Sequence, residues 1–369
     1  MDSIINSILA VMPQGLWETI IVAFESAFGT FALSIIVLTV ILKIVTSPLD
    51  FLNRRAQKSM GEKQKKIQNQ VDAINRKYAN DSKTKNQKLG ELYQREKINP
   101  MGSCVVIILN LVLTMVIFIT LFNGMNAMAA YKITDQYEQL QIEYVQEYAQ
   151  ETHSVDILAL IEENNNKASD DETKKSIYDI CKPYIDELAT EEKAEAKQAA
   201  DARVSEKYKQ IKEGFLWIDN IWIADSPFKN SIPTFDDYAG VAKISKDNAN
   251  YENYKTAYNQ IMTPLSQSNG RVNGFFILLV LTAGISFLNQ WLTARRNKKD
   301  GQRTSIAAYI VMPVLMAIFT LFYTTMFSLY IIASQIVSIA LIPVIGKIND
   351  AIDKRQAKKN EPTDRLKRI

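Results

Sequence analysis

FALSIIVLTVILKIVTSPL (31–49) is followed by a charged segment from Asp50 to Lys97 and by a return to apolar sequence, INPMGSCVVIILNLVL (98–113). An apolar run of about 20 residues can cross a bilayer as an α-helix. The pattern therefore predicts a membrane helix, a polar helical hairpin and a second membrane helix. Lys43 lies in the first of these helices. Burying an ionisable group in a membrane span is costly, which makes Lys43 a functional-site candidate.

The 369-residue chain is 47% hydrophobic, but its apolar and charged residues are segregated along the sequence. Four or five stretches are almost free of charge over about 20 residues, the length that a transmembrane helix needs. Dense runs of Lys, Glu and Asp separate these stretches. The sequence therefore predicts an all-α, polytopic membrane protein with large polar parts rather than one soluble core.

Charge is distributed unevenly between the polar segments. Segment 48–99 has 13 basic and 6 acidic residues, whereas segment 131–271 has 16 basic and 26 acidic residues. Cytoplasmic loops of membrane proteins carry an excess of Lys and Arg. The three basic segments, 48–99, 295–304 and 347–369, are therefore expected in the cytoplasm. The N-terminus and 131–271 are then expected outside, and five spans satisfy this alternation.

The expected architecture is a five-helix transmembrane core with a cytoplasmic helical hairpin and an external helical insert. In chain order the predicted segments are an outer-face interfacial helix (1–28), span one (29–47), the hairpin (48–99), span two (100–130), the mostly helical insert (131–271), span three (272–294), a cytoplasmic loop (295–304), span four (305–323), span five (324–346) and a basic cytoplasmic tail (347–369). For residues 1–28, a simple extension of the first span is an alternative. No Lys or Arg precedes Lys43, so no cleaved signal peptide is expected.

Two interpretations of Lys43 are open. Pro48 disfavours a helical conformation at Ser47, so a break or kink is expected there, about one helical turn from Lys43. The Lys43 stem could then reach the membrane surface and hold its ammonium in water. Alternatively, Lys43 and Thr39, which are four residues apart, form a polar stripe on an otherwise aliphatic helix.

The insert 131–271 is expected to form an external cap. Tyrosine and aliphatic residues recur at helical spacing from 133 to 148, so span two should continue as a helix beyond the membrane. Its partner is expected within 171–213, where a second apolar seam consists of Ile177, Ile180, Tyr184 and Leu188. Trp217 and Trp222 are expected to anchor the cap at the membrane interface.

The residues give no support for catalytic or metal chemistry. The sequence has one histidine, His153, and no Cys/His cluster of the kind that holds zinc. Cys104 and Cys181 are expected on opposite sides of the membrane, so no disulfide is predicted. No Ser–His pair, Gly-rich phosphate loop or paired intramembrane carboxylate is present. We therefore predict no catalytic residue, no metal and no cofactor.

Five polar residues in the predicted spans are candidates for one shared site: Thr39, Lys43, Asn110, Asn289 and Gln335. If they converge, they line a hydrated, mildly positive cavity that opens to the cytoplasm. The alternative is that each amide bonds a neighbouring helix, as polar residues in membrane bundles often do. The spans contain no Asp or Glu, which argues against a proton relay or a cation-coupled transporter.

Several motifs resemble the YidC family of membrane protein insertases, in the form with five core spans. They are SIIVLTVILK (34–43), the Ser-Pro-Leu turn after it, the charged hairpin, ELYQREKINPMGSC (91–104) and the Met-Pro of span four. The resemblance covers 30–130 and 272–345. It implies a hydrophilic groove in which Lys43 occupies the place of the family's usual arginine and Thr39 matches a family threonine. Groove positions that bear amides in the family are matched by Asn110, Asn289 and Gln335.

The sequence also departs from the family pattern. Lysine keeps the positive charge at position 43 but lacks the planar fork that holds a carboxylate bidentately. Tyr-Thr-Thr-Met (323–326) stands where Pro-Ser-Gly is common between the last two spans. The insert between spans two and three is larger than the family leads us to expect.

The resemblance implies a membrane protein insertase or chaperone, not an enzyme, that helps hydrophobic client segments enter the bilayer through a positively charged groove. Implied partners are nascent membrane protein clients and lipid, with the ribosome and the Sec translocon as further candidates. A functional monomer is expected in the bacterial plasma membrane, with the N-terminus outside and the C-terminus in the cytoplasm. Two rival classes are a structural membrane scaffold with helical docking modules and, less favoured, a solute transporter.

Overall fold

The computed structural model describes residues 12–96, 100–167, 177–187, 194–299 and 306–360. Within these ranges the chain is mostly α-helical, and no strand is present in them apart from two isolated β-bridges. The all-α prediction is therefore confirmed. The helices are α1 (Leu16–Phe28), α2 (Phe31–Lys77), α3 (Ser82–Arg95), α4 (Pro100–His153), α5 (Ile157–Lys167), α6 (Ile177–Glu187), α7 (Ala194–Ile211), α8 (Phe235–Val241), α9 (Tyr251–Asn269), α10 (Ile277–Lys299), α11 (Ile306–Phe322) and α12 (Thr325–Asn360).

Four helical segments are long and apolar enough to cross a membrane: Phe31–Lys63, Ile108–His153, Ile277–Lys298 and Thr325–Arg355. The chain is a multi-pass membrane protein. The predicted fourth span, 305–323, corresponds to α11, whose 17 residues extend about 26 Å at the standard helical rise. The whole helix is at the lower limit of length for spanning, and its apolar part, Tyr309–Phe322, is shorter than that limit.

The chain divides into two compact units, and each is described on its own. The insert unit consists of Met1–Ile35, Leu121–Val280 and Ile318–Leu329. The hairpin unit consists of Ile36–Thr120, Leu281–Ala317 and Tyr330–Ile369.

The core of the insert unit is built on the second half of α4. This helix continues well beyond a membrane span, as the seam from 133 to 148 predicts, and it buries Leu140, Tyr144 and Tyr148 almost completely. Helix α7 contacts this part of α4 through an ion pair, in which Arg203 Nε lies 2.6 Å from Glu143 Oε1. Ala200, Val204 and Tyr208 are the buried residues of α7.

The tyrosine seam of α4 (133–148) is expected from the sequence to pack against a helix within 171–213. That segment supplies only part of the surface that packs against α4. The Tyr137 ring packs at 4.8 Å from that of Tyr238 and at 4.7 Å from that of Tyr258, on α8 and α9. Within 171–213, the predicted seam residue Tyr184 contacts the His153 ring at 5.7 Å. The predicted contacts of the Ile177 and Leu188 side chains lie outside the described residues. A helix is expected from the sequence at 250–263, where α9 lies, but its contact with the tyrosine seam is not, because the tyrosines of α8 and α9 lie in mostly polar sequence without a long apolar period.

The expectation that Trp222 anchors the cap at the membrane interface is wrong. Its side chain is 1% exposed, and its ring meets that of Phe31 edge-on at 5.1 Å. Ile218 and Ile221 are buried in the same segment. An indole buries a large apolar area wherever a core offers it, and here the first residue of α2 supplies the partner. Trp217 is half-buried.

A buried polar network positions the start of α10. Asp225 is 2% exposed, and its carboxylate accepts hydrogen bonds from the backbone N–H groups of Phe275 at 2.8 Å and Leu278 at 2.6 Å. Asn273 is fully buried and donates to the carbonyl oxygens of Asn220 and Ala224. The Asp225 bonds satisfy backbone N–H groups that the start of α10 leaves without a partner, and the Asn273 bonds satisfy two carbonyls of the preceding insert segment.

The turn between α11 and α12 is tied to the same segment. The Thr325 N–H and hydroxyl both donate to the Ile223 carbonyl, at 3.0 Å and 2.8 Å, and the Met326 N–H donates to the Ile221 carbonyl. This is the Tyr-Thr-Thr-Met stretch that departs from the family pattern. Here the insert itself holds the turn.

In the hairpin unit, α2 is continuous through Pro48, so of the expected break or kink at this position, the break is wrong. Proline lacks the N–H that would bond the Ile44 carbonyl one turn earlier. The Ser47 hydroxyl donates to that carbonyl at 2.8 Å instead. The Thr46 hydroxyl similarly bonds the Leu42 carbonyl at 2.9 Å. Side-chain hydroxyls of this kind allow proline inside membrane helices.

The polar end of α2 and helix α3 form an antiparallel hairpin. Ile67 and Leu92 are its buried pair, with Val71, Ile74 and Tyr93 packed around them. The Asp81 carboxylate accepts from the Thr84 N–H at 3.0 Å and caps α3. The apolar seam is narrow, as the sequence predicts, and most of the remaining surface is exposed and charged.

Candidate functional site

Two of the five predicted site residues are in direct contact. The Asn289 amide on α10 donates a hydrogen bond to the Gln335 side-chain oxygen on α12, and both side chains are half-buried. This pair satisfies part of each amide where water is scarce. It is also what the simpler alternative, amides bonding between helices, predicts. The pair alone therefore does not distinguish a groove from a bundle contact.

Thr39 and Lys43 lie one turn apart on α2. Thr39 is fully buried, whereas Lys43 is half-buried. Among the residues that the structure describes, the Lys43 ammonium has no hydrogen bond or ion pair. The α-helical path through Pro48 keeps Lys43 in register with the polar residues that follow on α2.

Asn110 is half-buried on α4, between neighbours that are exposed and apolar. Leu109 and Leu111 are 61% and 62% exposed. In the described part of the chain, the Asn110 amide is not joined to the Asn289–Gln335 pair by a hydrogen bond. The convergence of all five residues thus remains a prediction.

Helix α10 carries a polar stripe that sequence reasoning missed. Its members recur every three or four residues and so share one face: Thr282, Ser286, Asn289, Thr293 and Arg296. Thr282 and Ser286 are 0% and 3% exposed. Neither hydroxyl has a hydrogen-bond partner among the residues that the structure describes. The signal was present in the sequence as this spacing, but single small hydroxyl residues are common in apolar spans.

An unpaired buried hydroxyl costs about 1–3 kcal/mol, and more where no water can reach it. Water that enters along the stripe would remove this cost, since buried water typically bridges polar groups that lack protein partners. The stripe is therefore a physical reason for hydration between helices that are otherwise apolar.

At the C-terminal end of α10 the stripe enters a polar cavity of about 220 Å³. Residues of α2, α10 and α12 line this polar cavity: Asp50, Asn53, Arg54, Gln57, Lys58, Thr293, Arg296, Asn297 and Asn349. No aliphatic side chain is among them. On α2 these residues continue the face of Thr39 and Lys43, and on α12 Asn349 continues the face of Gln335.

The polar cavity has an excess of positive charge. Arg54, Lys58 and Arg296 line it against one carboxylate, Asp50. Lys58 is held by Asp353 on α12 at 2.6 Å, and Arg296 Nη1 donates to the Ile342 carbonyl at 2.6 Å. An anionic group is therefore the charge that this cavity would favour.

The arrangement provides polar solvation and charge without a nucleophile and base in contact. Among the described residues, no group of three or more His, Cys, Asp or Glu could hold a metal ion. What this site can do is stabilise water and polar or acidic groups beside apolar helices.

Together the fold and the site define the class of protein. It is a multi-pass, all-α membrane protein with polar side chains between its helices. The family described as "60Kd inner membrane protein" matches residues 23–164. A membrane protein insertase YidC of Fusobacterium nucleatum subsp. nucleatum is 38% identical over 96 residues, which cover 26% of this chain and 45% of that protein. Over these residues the chain is similar to membrane protein insertases named YidC, as its motifs predicted.

Other relatives have the same name. The membrane protein insertase YidC of Oleidesulfovibrio alaskensis is 36% identical over 102 residues, 28% of this chain and 18% of that protein. That of Maricaulis maris is 39% identical over 100 residues, 27% of this chain and 16% of that protein. The matched regions thus span less than half the length of each relative. No solved structure matches the chain significantly.

Proposed function

We propose that the protein is a membrane protein insertase that helps apolar client segments enter the bilayer past a hydrated, positively charged path. The observation that carries the proposal is the stripe Thr282–Arg296 on α10. Two of its hydroxyls are buried without partners among the described residues, and it ends in the polar cavity. The activity proposed is that of its relatives, which are membrane protein insertases.

The physical mechanism needs no covalent step. Water and cations along the polar faces lower the cost of moving a client's polar or acidic flank part-way into the bilayer. The client's apolar segment then leaves into lipid, and the burial of apolar area drives this step. In this proposal Lys43 contacts the client flank inside the span. The path is kept hydrated by four polar side chains, those of Thr39, Asn110, Asn289 and Gln335.

The remaining expectations belong to the same proposal. The hairpin and the basic tail lie in the cytoplasm and receive the client, with the ribosome or the Sec translocon as further partners. The insert lies outside, and the protein acts as a monomer without a cofactor. The alternative is a structural scaffold. The direct Asn289–Gln335 hydrogen bond favours it, because the same bond would also hold two helices together in a sealed bundle.

Complementation of a bacterial strain depleted of its own insertase tests the proposal. The readout is membrane insertion of a client with an acidic flank, compared with a client with a neutral flank. We expect Lys43→Arg to retain insertion, because the charge stays. Lys43→Ala should lower insertion of the acidic client several-fold and affect the neutral client less. Full insertion by Lys43→Ala on both clients would favour the scaffold.

A further inference from the structure

A second cavity adjoins Arg296 in the hairpin unit, between α10 and α12. We call it the basic cleft; its volume is about 410 Å³, and its lining residues are Leu292, Arg295, Arg296, Ile342, Pro343, Gly346, Lys347 and Asp350. Three cations face one carboxylate in this lining, a net positive charge of two. Unlike the polar cavity, the basic cleft also has an aliphatic wall.

The cations of the basic cleft are held in place from both helices. The Arg295 guanidinium lies over the Trp291 ring at 5.4 Å from its centre. Arg296 donates through Nη1 to the Ile342 carbonyl, which leaves its other N–H groups available. Gly346 makes room for that guanidinium, because a Cβ at position 346 would overlap it.

The surroundings of the basic cleft indicate the source of its ligand. Trp291 is 41% exposed, as expected of an aromatic residue at the headgroup level of a bilayer. One turn towards the membrane centre, Leu288 is 44% exposed, and across the cleft Val344 is 49% exposed. An acyl chain could therefore lie against apolar side chains while its headgroup meets the cations.

We propose that the basic cleft binds the phosphate of an anionic glycerophospholipid from the adjoining leaflet. Arg296, Arg295 and Lys347 would contact the phosphate, and Leu292, Ile342 and Pro343 the glycerol and the first carbons of the chains. Basic pockets between transmembrane helices recognise anionic headgroups in this way. A soluble anion would use the cations but not the aliphatic wall.

Native mass spectrometry of the delipidated full-length protein tests the proposal. The probes are phosphatidylglycerol, phosphatidylcholine with the same chains, and inorganic phosphate. We expect the first phosphatidylglycerol to bind at least about fivefold more tightly than phosphatidylcholine. Phosphate at millimolar concentration should not displace it. Equal affinity for the two lipids would overturn the proposal, and displacement by phosphate would make the cleft a soluble-anion site.

Variants locate the binding. Arg296→Gln should weaken phosphatidylglycerol binding about fivefold and leave phosphatidylcholine binding unchanged. Gly346→Ala should also weaken it, because the added methyl displaces the Arg296 guanidinium. Matched controls are Lys83→Gln, which removes an exposed hairpin cation, and Gly284→Ala, where a Cβ meets nothing within 4 Å; both should bind as the wild type does.

Lys347→Gln provides a measurement that does not depend on the packing of Arg296, since Lys347 is exposed. It should weaken phosphatidylglycerol binding as well. Wild-type affinity in Lys347→Gln and in every folded Arg296 or Gly346 variant would refute the assignment.

Discussion

Asp225 is a single residue on which the beginning of a membrane helix depends. Its two carboxylate oxygens accept from the Phe275 and Leu278 N–H groups, and it is almost fully buried. Without this carboxylate, the start of the helix loses its cap, and the two backbone N–H groups lose their hydrogen-bond acceptor.

Asp225→Ala should therefore destabilise the insert unit by about 2–3 kcal/mol. Asp225→Asn keeps one acceptor oxygen and should cost less. Chemical unfolding in detergent, followed by tryptophan fluorescence in a background that keeps Trp222 as the single tryptophan, measures both variants. Equal stability of Asp225→Ala and the wild type would show that water replaces the carboxylate at no cost.

Cys181 illustrates how burial controls reactivity at the residue scale. It is a free, fully buried thiol, and burial raises its pKa to about 12. The thiolate, which is the reactive form, is then on the order of one molecule in ten thousand at pH 8.

In a Cys104→Ser background, maleimide labelling of the folded protein at pH 8 should be at least a hundredfold slower than that of the unfolded chain. Labelling at comparable rates would contradict the packing of α6. Because the folded pKa is raised above the ordinary value of 9.0, the thiol ionises first in the unfolded chain, so it lowers the free energy of unfolding progressively as the pH rises from about 9 to about 12.

In helix α2, the rule that proline disfavours a helical conformation at the preceding residue did not predict the course of the helix. Pro48 correctly signals a missing backbone bond, but the Ser47 hydroxyl supplies a donor to the same carbonyl. The helix therefore continues into the hairpin without a break, and Thr39, Lys43 and Asp50 stay on one face.

The hairpin depends on very few buried residues, so we expect it to open locally with little free energy. Ile67→Ala should destabilise the pairing of α2 with α3 by about 2–3 kcal/mol. Hydrogen exchange of α3 reports this loss, because local opening sets its protection. Lys63→Ala, at an exposed position on the same helix, is the control and should exchange as the wild type does. Equal protection in Ile67→Ala would mean that other contacts hold the hairpin.

For the whole molecule, apolar runs of membrane length and helical periodicity were enough to predict the all-α class, the hairpin and the long α4. The partners of Tyr137 within the insert could not be predicted, because Tyr238 and Tyr258 lie more than 100 residues further along the chain in mostly polar sequence. Trp222 was misplaced for a related reason: amphipathic character alone does not tell a membrane surface from a protein core.

Of the candidate site, the sequence predicted the amides that bond each other but not the stripe that surrounds them. Lys43 and Thr39 stood out because charge is rare in a span. Thr282 and Ser286 did not, because what distinguishes them is burial without a partner among the described residues, which the sequence does not show. The polar cavity was equally hidden, because its lining combines residues almost 300 positions apart.

Site-specific photocrosslinking to a client arrested during insertion tests the central claim most directly. A photoreactive residue at Gln335 or Asn53, on the polar faces, should crosslink to the acidic flank of the client. The same residue at Val112, on the exposed apolar part of α4, should crosslink to that flank several-fold less. Equal crosslinking from all three positions, or none from Gln335 and Asn53, would contradict a path along the polar faces.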